Sequence, residues 1–466
     1  MLFSSIPFLY AFLPVTLILY FLAPMRLKNA VLLVMSLLFY AWGEPRHVVL
    51  MLLTIAAGYA FGRLIAASGS RAAAKRWLIA SVVFHTAVLA VFKYTGFFAE
   101  NFTTLTGVTL PLPRIALPIG ISFYTFQVMS YTVDVYRGDA AAQKNFVTLA
   151  AYVSLFPQLI AGPIVRYRDV AAQLERRTHS VEQAARGARR FVLGLAKKIL
   201  LANALGALCD TFRASGDKSV LFFWLYAVAF MLHIYFDFSG YSDMAIGLGR
   251  VFGIDFTENF NYPYLSRSAT EFWRRWHISL GSWFRDYVYI PLGGSRVSRG
   301  RWLRNLLAVW LLTGLWHGAA WNFVLWGLYF AALLALEKLW LGKWLERHAA
   351  LSHLYLLVAV LLGFVLFNAA DLTQALGDLG GLFGAGGLPL LSQEALYELR
   401  SNAPVLLLAV IGATPLPKKL MTRLAATPVG GRCLAVAEPV ALTALLLVMT
   451  AYLVDGSFNP FLYFRF

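Results

Sequence analysis

The chain has 466 residues, of which 59% are hydrophobic and only 14% charged. That balance leaves too little polar surface to cover a water-soluble fold and excludes an ordinary soluble protein. Its 40 Lys and Arg against 23 Asp and Glu give a formal net charge of +17. The basic residues fall in short runs between apolar segments, as the charge rule for membrane loops requires, so the excess reads as topology and not as a nucleic-acid footprint. Two cysteines, Cys209 and Cys433, are too few and too far apart for a disulfide framework or a metal cluster.

The first apolar run, 7–24, has no basic residues before it and is followed by Arg26 and Lys28. This predicts an uncleaved span that starts on the outer side. Further apolar runs lie at 29–43, 47–67, 77–98, 115–135, 189–208, 219–238, 304–317, 321–340, 351–367 and 434–454, with a short one at 402–414. Most approach the length needed to cross a hydrocarbon core of about 30 Å, so an all-α protein with about 10 to 12 transmembrane helices is expected. Alternation from an outer N-terminus collects the basic runs at 26–28, 71–76, 137–144, 166–190, 267–304, 338–347 and 418–432 on one side, which is then cytoplasmic.

The apolar stretch 146–165 breaks this alternation, because both of its flanks belong to the basic side. It contains Phe156-Pro157-Gln158 and Ala161-Gly162-Pro163, and two prolines and a glycine so close together cannot continue a helix. Irregular backbone at membrane depth is tolerated only where protein or a cavity covers it, so a re-entrant loop is predicted. The region 236–304 is likewise expected not to be a lipid-facing helix. Asp237 and Asp243 stand in apolar company, and Asn259-Phe260-Asn261-Tyr262-Pro263 breaks the chain. After the break, Trp273, Trp276, Leu280 and Trp283 recur at helical spacing with Arg274, Arg275 and Arg285 elsewhere on the wheel. That pattern predicts one amphipathic helix lying at the interface with its aromatic face down. Residues 371–401 are Gly- and Leu-rich and read as a surface segment on the outer side. No internal repeat of a secondary transporter is visible, and the whole chain, 1–466, reads as one membrane-embedded domain with a core at 118–340.

Between the charges of Arg304 and Glu337 lie 32 residues with no charged side chain and a single histidine, His317. At about 1.5 Å per residue, the 13 residues from Arg304 carry that imidazole roughly 20 Å into the slab. A titratable group at such depth is a functional candidate. The run is longer than one span and shorter than two, so two helices broken near Gly318 and Asn322, with His317 at the break, are expected.

Several stretches together resemble a known family. They are Pro118-Ile119-Gly120-Ile121-Ser122-Phe123-Tyr124, the Pro157-Gln158 to Pro163 loop, Phe236-Asp237-Phe238-Ser239-Gly240-Tyr241-Ser242-Asp243, Trp276-His277-Ile278-Ser279-Leu280, Arg285-Asp286-Tyr287-Val288-Tyr289-Ile290-Pro291-Leu292-Gly293-Gly294, Leu315-Trp316-His317-Gly318 and the closing Asn459-Pro460-Phe461-Leu462-Tyr463-Phe464-Arg465-Phe466. In number and order they resemble the membrane-bound O-acyltransferases, in particular the bacterial branch that O-acetylates alginate or attaches D-alanine to teichoic acids. The resemblance implies a ring of tilted helices around a thinned centre, with funnels from both faces meeting near His317. It implies His317 as the catalytic histidine and His277 as a second polar position facing it. One departure is Asn368, where the family pattern places an arginine.

Acyl transfer from a thioester to a hydroxyl needs a base, donors for the developing oxyanion and exclusion of water. An imidazole in an apolar slab stays neutral and able to accept a proton, which suits His317. His277 fits either a group that orients the donor or a packed histidine. Asp237 and Asp243 fit either an ion site or, as the simpler reading, pairing with nearby basic residues. Gln158, Pro163, Arg274, Trp276, Arg285, Asp286, Trp316 and Asn322 are the expected substrate-channel residues, Arg274 and Arg285 also serving orientation. The expected activity is an inner-membrane O-acyltransferase that takes acetyl groups from a cytoplasmic thioester, such as acetyl-coenzyme A, for an exported polysaccharide or wall polymer. It would carry no tightly bound cofactor or metal, and a periplasmic or membrane-anchored acyltransferase would be its partner. A teichoic acid D-alanyl transferase and, from another class, a proton-coupled transporter are the alternatives.

Overall fold

The computed structural model describes residues 1–112, 115–456 and 461–462. Of the closing motif 459–466 only Phe461 and Leu462 therefore fall among the described residues. The regular structure of the described residues is entirely helical, with no strand, as expected where every backbone polar group must be satisfied inside apolar surroundings. In order the helices are α1 (Leu13–Leu22), α2 (Lys28–Ala41), α3 (His47–Ala66), α4 (Arg71–Thr106), α5 (Ile121–Arg137), α6 (Phe146–Ser154), α7 (Tyr167–Glu175), α8 (Val181–Ala196), α9 (Asn203–Ala214) and α10 (Val220–Val251). They continue as α11 (Ala269–Arg275), α12 (Ile278–Phe284), α13 (Arg299–His317), α14 (Trp321–Leu336), α15 (Gly342–Arg347), α16 (Ala349–Asn368), α17 (Leu372–Leu382), α18 (Gln393–Gly412), α19 (Leu416–Ala425) and α20 (Pro428–Asp455).

Eight helical runs are long and apolar enough to cross a membrane: α3, α4, Val181–Ala214, α10, Trp321–Arg347, α16, α18 and α20. The remaining expected spans are helices too, but shorter or more polar: Phe8–Leu22, α2, α5 and α13. The protein is a multi-pass membrane protein. Helix α5 begins only at Ile121, since Pro118 lacks the amide a helix needs and Gly120 takes φ +76°. Helix α18 begins at Gln393, capped by Ser392, so the run at 402–414 belongs to a full-length helix. The segment 371–401 accordingly divides into the short α17 and the start of α18.

The chain forms two compact units, Met1–Phe191 with Ser242–Thr257, and Val192–Tyr241 with Glu258–Phe466. In the first, α3 packs against α4, α5 and α6. A Cβ on Gly58 or Gly62 would fall 2.2 Å from Val128 or 2.6 Å from the Tyr131 hydroxyl, so glycine there sets how closely α3 and α5 approach. The predicted re-entrant loop is present. Helix α6 ends at Ser154, the chain runs irregularly to Arg166, and every residue from 148 to 165 is buried. Its ends meet, with Gln143 Nε2 donating to the Tyr167 hydroxyl at 2.9 Å. Tyr152 OH donates to Val165 O at 2.7 Å and Phe156 N–H to Ser36 Oγ of α2 at 3.0 Å, while Gln158 Oε1 is buried without a partner among the described residues.

In the second unit the core is aromatic. Trp273 lies edge-on to Trp310, Trp326 and Phe330 at 4.9, 5.5 and 4.8 Å between ring centroids. This corrects one expectation. The aromatic face of 271–287 is buried in protein, not laid on the interface, and the expected single helix is two helices of seven residues joined at Trp276 and His277. The break at α13 and α14 falls where it was expected, between His317 and Trp321.

Candidate active site

Three glycines bring α13 and α14 into a tight hairpin. A Cβ on Gly314 would stand 2.3 Å from Phe323 O, on Gly327 2.3 Å from Trp310 O, and on Gly318 2.1 Å from the Phe323 ring. No larger residue fits against those atoms. The hairpin places His317 at the last position of α13, 7% exposed, in a box of rings: Trp316 at 5.0 Å, Trp326 at 5.1 Å and Phe367 at 5.2 Å. The indole N–H of Trp326 is buried with no hydrogen-bond partner among the described residues.

His277 arrives from the α11–α12 junction. Its φ is +44°, one of two non-glycine residues with positive φ among those described. Left-handed backbone costs an L-residue roughly 1–2 kcal/mol and persists only where surroundings hold it, often at functional sites. Here Asn259 holds it. Its carbonyl accepts from Ile278 N–H at 3.0 Å. Its side-chain Oδ1 accepts from Ser279 N–H at 3.2 Å and Ser279 Oγ at 2.9 Å, and lies 3.1 Å from His277 Nδ1. An amide oxygen can only accept, so Nδ1 carries the hydrogen and Nε2 keeps its lone pair. That Nε2 is buried and has no partner among the described residues. The short helices around it do not span, and burial pushes the imidazole down to about 3, so the ring is neutral. Its face meets Phe238 edge-on at 4.7 Å, and Trp316 stands 6.0 Å away. Trp316 thus neighbours both histidines.

The other expected residues divide clearly. Asn322 donates through Nδ2 to Ala369 O at 2.8 Å while its Oδ1 is buried and unpartnered, close in sequence to Phe323, which stacks edge-on with the Phe367 of the histidine box. Trp276 is buried beside His277 but packs among Phe260, Phe272 and Phe364. Arg274 and Arg285 stand exposed at the surface of the short helices, Arg285 paired to Asp286 at 2.7 Å. Gln158 and Pro163 belong to the buried loop of the first unit, where Gln158 Nε2 donates to Tyr152 O at 2.6 Å. Asp237 and Asp243 follow the simpler reading: Asp237 pairs with Lys198 at 2.7 Å and Asp243 with Arg190 at 2.8 Å. Asn368 donates to the Tyr226 hydroxyl at 2.7 Å, which also accepts from Arg213 at 2.5 Å, so an arginine from α9 stands beside the position that departs from the family pattern. Asn259, Trp326 and Phe367 were not singled out as site residues. Asn259 was visible only as part of a helix-breaking run, and nothing in sequence spacing brings a residue 18 positions away to His277 Nδ1.

The profile of the MBOAT, membrane-bound O-acyltransferase, family matches residues 129–360. The chain is 41% identical to a probable alginate O-acetylase of Azotobacter vinelandii, over the whole of both chains. It is 45% identical to the probable alginate O-acetylase of Pseudomonas aeruginosa, over 83% of this chain and 75% of the relative. It is 33% identical to the peptidoglycan O-acetyltransferase of Helicobacter pylori, over 89% of this chain and 86% of the relative.

Proposed function

The chain belongs to the membrane-bound O-acyltransferase family, and from that membership we propose that it O-acetylates an exported, alginate-like polysaccharide, or passes on the acetyl group for that step, from a cytoplasmic thioester such as acetyl-coenzyme A. The bilayer is the bacterial inner membrane, and a periplasmic or membrane-anchored acyltransferase is the partner that completes modification of the polymer. In this reading His317 takes the proton of the receiving hydroxyl as its oxygen attacks the thioester carbonyl. The tetrahedral oxyanion accepts a hydrogen bond from the buried Trp326 N–H, and collapse expels the thiolate, to which the imidazolium returns the proton. His277, neutral and with Nε2 as a free acceptor, orients a donor N–H or O–H of a substrate. Ring walls around His317 exclude the water that would hydrolyse the thioester.

The observation that carries the reading is the pair of buried imidazoles flanking Trp316, one of them with a lone pair left unpaired in a strained backbone. The test is mass spectrometry of the extracellular polymer from cells with the wild-type chain, with His317→Ala and without the gene. O-acetylation lost in His317→Ala at unchanged membrane abundance is the expected result, and retained O-acetylation overturns the base assignment. Purified protein offered acetyl-coenzyme A and an aminoacyl carrier protein in parallel separates O-acetyl transfer from D-alanyl transfer.

A further inference from the structure

Among the described residues several buried or half-buried cations face carboxylates. Lys198 meets Asp237 at 2.7 Å, Arg213 meets Asp378 at 2.6 Å and Arg190 meets Asp243 at 2.8 Å. In the first unit, Lys28 and Arg177 are each 7% exposed, and among the described residues no carboxylate pairs with either. Both gather on Tyr20. Lys28 Nζ donates to Tyr20 O at 2.7 Å and stands 4.2 Å from the centroid of its ring. Arg177 Nη1 donates to the Tyr20 hydroxyl at 3.2 Å, and its other groups donate to Gln173 O at 2.8 Å and to Asn29 Oδ1. The Tyr20 hydroxyl donates to Phe252 O at 2.6 Å, so its contact with His179 Nε2 at 2.9 Å is donated by the imidazole.

Tyr20 O and Gln173 O lie in the last turns of α1 and α7, and a helix C-terminus carries about half a negative charge. Two such ends against two full cations leave about one positive charge without a counterion. Burying an unpaired charge is costly, and an external anion removes that cost. His179, Arg176 and Arg26, within two residues of the pair in sequence, are exposed, and the segment belongs to the basic runs that the charge rule assigns to the cytoplasmic side, where lipid phosphates and soluble phosphate esters are both present. Each cation has N–H groups beyond those used above, and bidentate or clustered N–H donors suit phosphate oxygens.

We propose that Lys28 and Arg177 hold one phosphate group, carried by an anionic lipid headgroup or by a soluble phosphate ester. The site is independent of the chemistry assigned to His317. The test uses the purified full-length protein in detergent and follows thermal unfolding against added phosphatidylglycerol, diacylglycerol of the same chains as the phosphate-free control, and inorganic phosphate at matched ionic strength. The wild type is expected to be stabilised by phosphatidylglycerol or by inorganic phosphate and not by diacylglycerol. A response to phosphatidylglycerol alone identifies a lipid site, and an equal response to inorganic phosphate identifies a soluble ester. In Lys28→Gln/Arg177→Gln the apparent affinity falls at least about tenfold, the equivalent of losing charge-assisted hydrogen bonds. Should that variant fail to fold, Arg177→Lys decides, because it keeps the charge but loses the paired guanidinium N–H groups, with an expected loss of about threefold or more. No stabilisation of the wild type by either probe, or an unchanged affinity in the variants, overturns the proposal.

Discussion

The side-chain oxygen of Asn259 lies 3.1 Å from His277 Nδ1 and also accepts two hydrogen bonds from Ser279. That contact decides which imidazole nitrogen is left free. Asn259→Ala removes it, so the ring loses its fixed tautomer and the left-handed backbone loses a support. Acyl-transfer kcat should fall about tenfold or more. Asn259→Asp keeps an acceptor for both partners and should retain more activity than the alanine variant. Equal activity in all three proteins would show that Asn259 does not position His277.

His277 also has a pH signature. Its folded value, about 3, lies below the ordinary 6.5, so between these pH values the unfolded chain binds a proton that the native protein does not. Stability therefore falls as pH drops from about 6.5 towards about 3, by at most about 1.4 kcal/mol per pH unit from this group. Thermal unfolding of His277→Gln in detergent should show a shallower loss across that window than the wild type.

Trp326→Phe keeps the ring that packs on His317 and removes only the buried N–H. If that N–H serves the oxyanion, kcat should drop about 10²-fold with little change in stability. A variant with wild-type kcat would assign Trp326 to packing alone.

The α13–α14 hairpin depends on backbone contact. Gly314→Ala places a methyl group 2.3 Å from the Phe323 carbonyl oxygen, and overpacking of this kind costs about 1–3 kcal/mol. A lowered Tm and reduced membrane abundance are expected. Gly96→Ala on α4, where a Cβ meets nothing within 4 Å, is the matched control and should be silent.

Lys198→Met strands Asp237, whose second oxygen accepts from Leu462 N–H at 2.7 Å. Breaking one side of a buried pair costs about 3–5 kcal/mol, whereas replacing both sides can be nearly neutral. The double variant Lys198→Met/Asp237→Leu should thus be more stable than the single one. It should still transfer acyl groups, a result opposed to the relay that a proton-coupled transporter would need from Asp237.

Much of the architecture follows from composition and local pattern alone. Apolar run length marks the helices, proline and glycine mark the loop at 155–165, and an uncharged run too long for one span marks the break after His317. These are properties of consecutive residues, so order along the chain is enough to read them. What only the tertiary structure decides is partnership between distant positions. One amphipathic pattern from 271 to 287 becomes two short helices because Asn259 captures Ile278, Ser279 and His277 and holds a backbone angle that no periodicity encodes. Asp237 and Asp243 are ion-paired because Lys198 and Arg190 reach them from another helix. Lys28 and Arg177 meet on one tyrosine across 149 residues of sequence and find no acid there. Burial makes each of these arrangements energetically decisive, and burial is set by the whole fold.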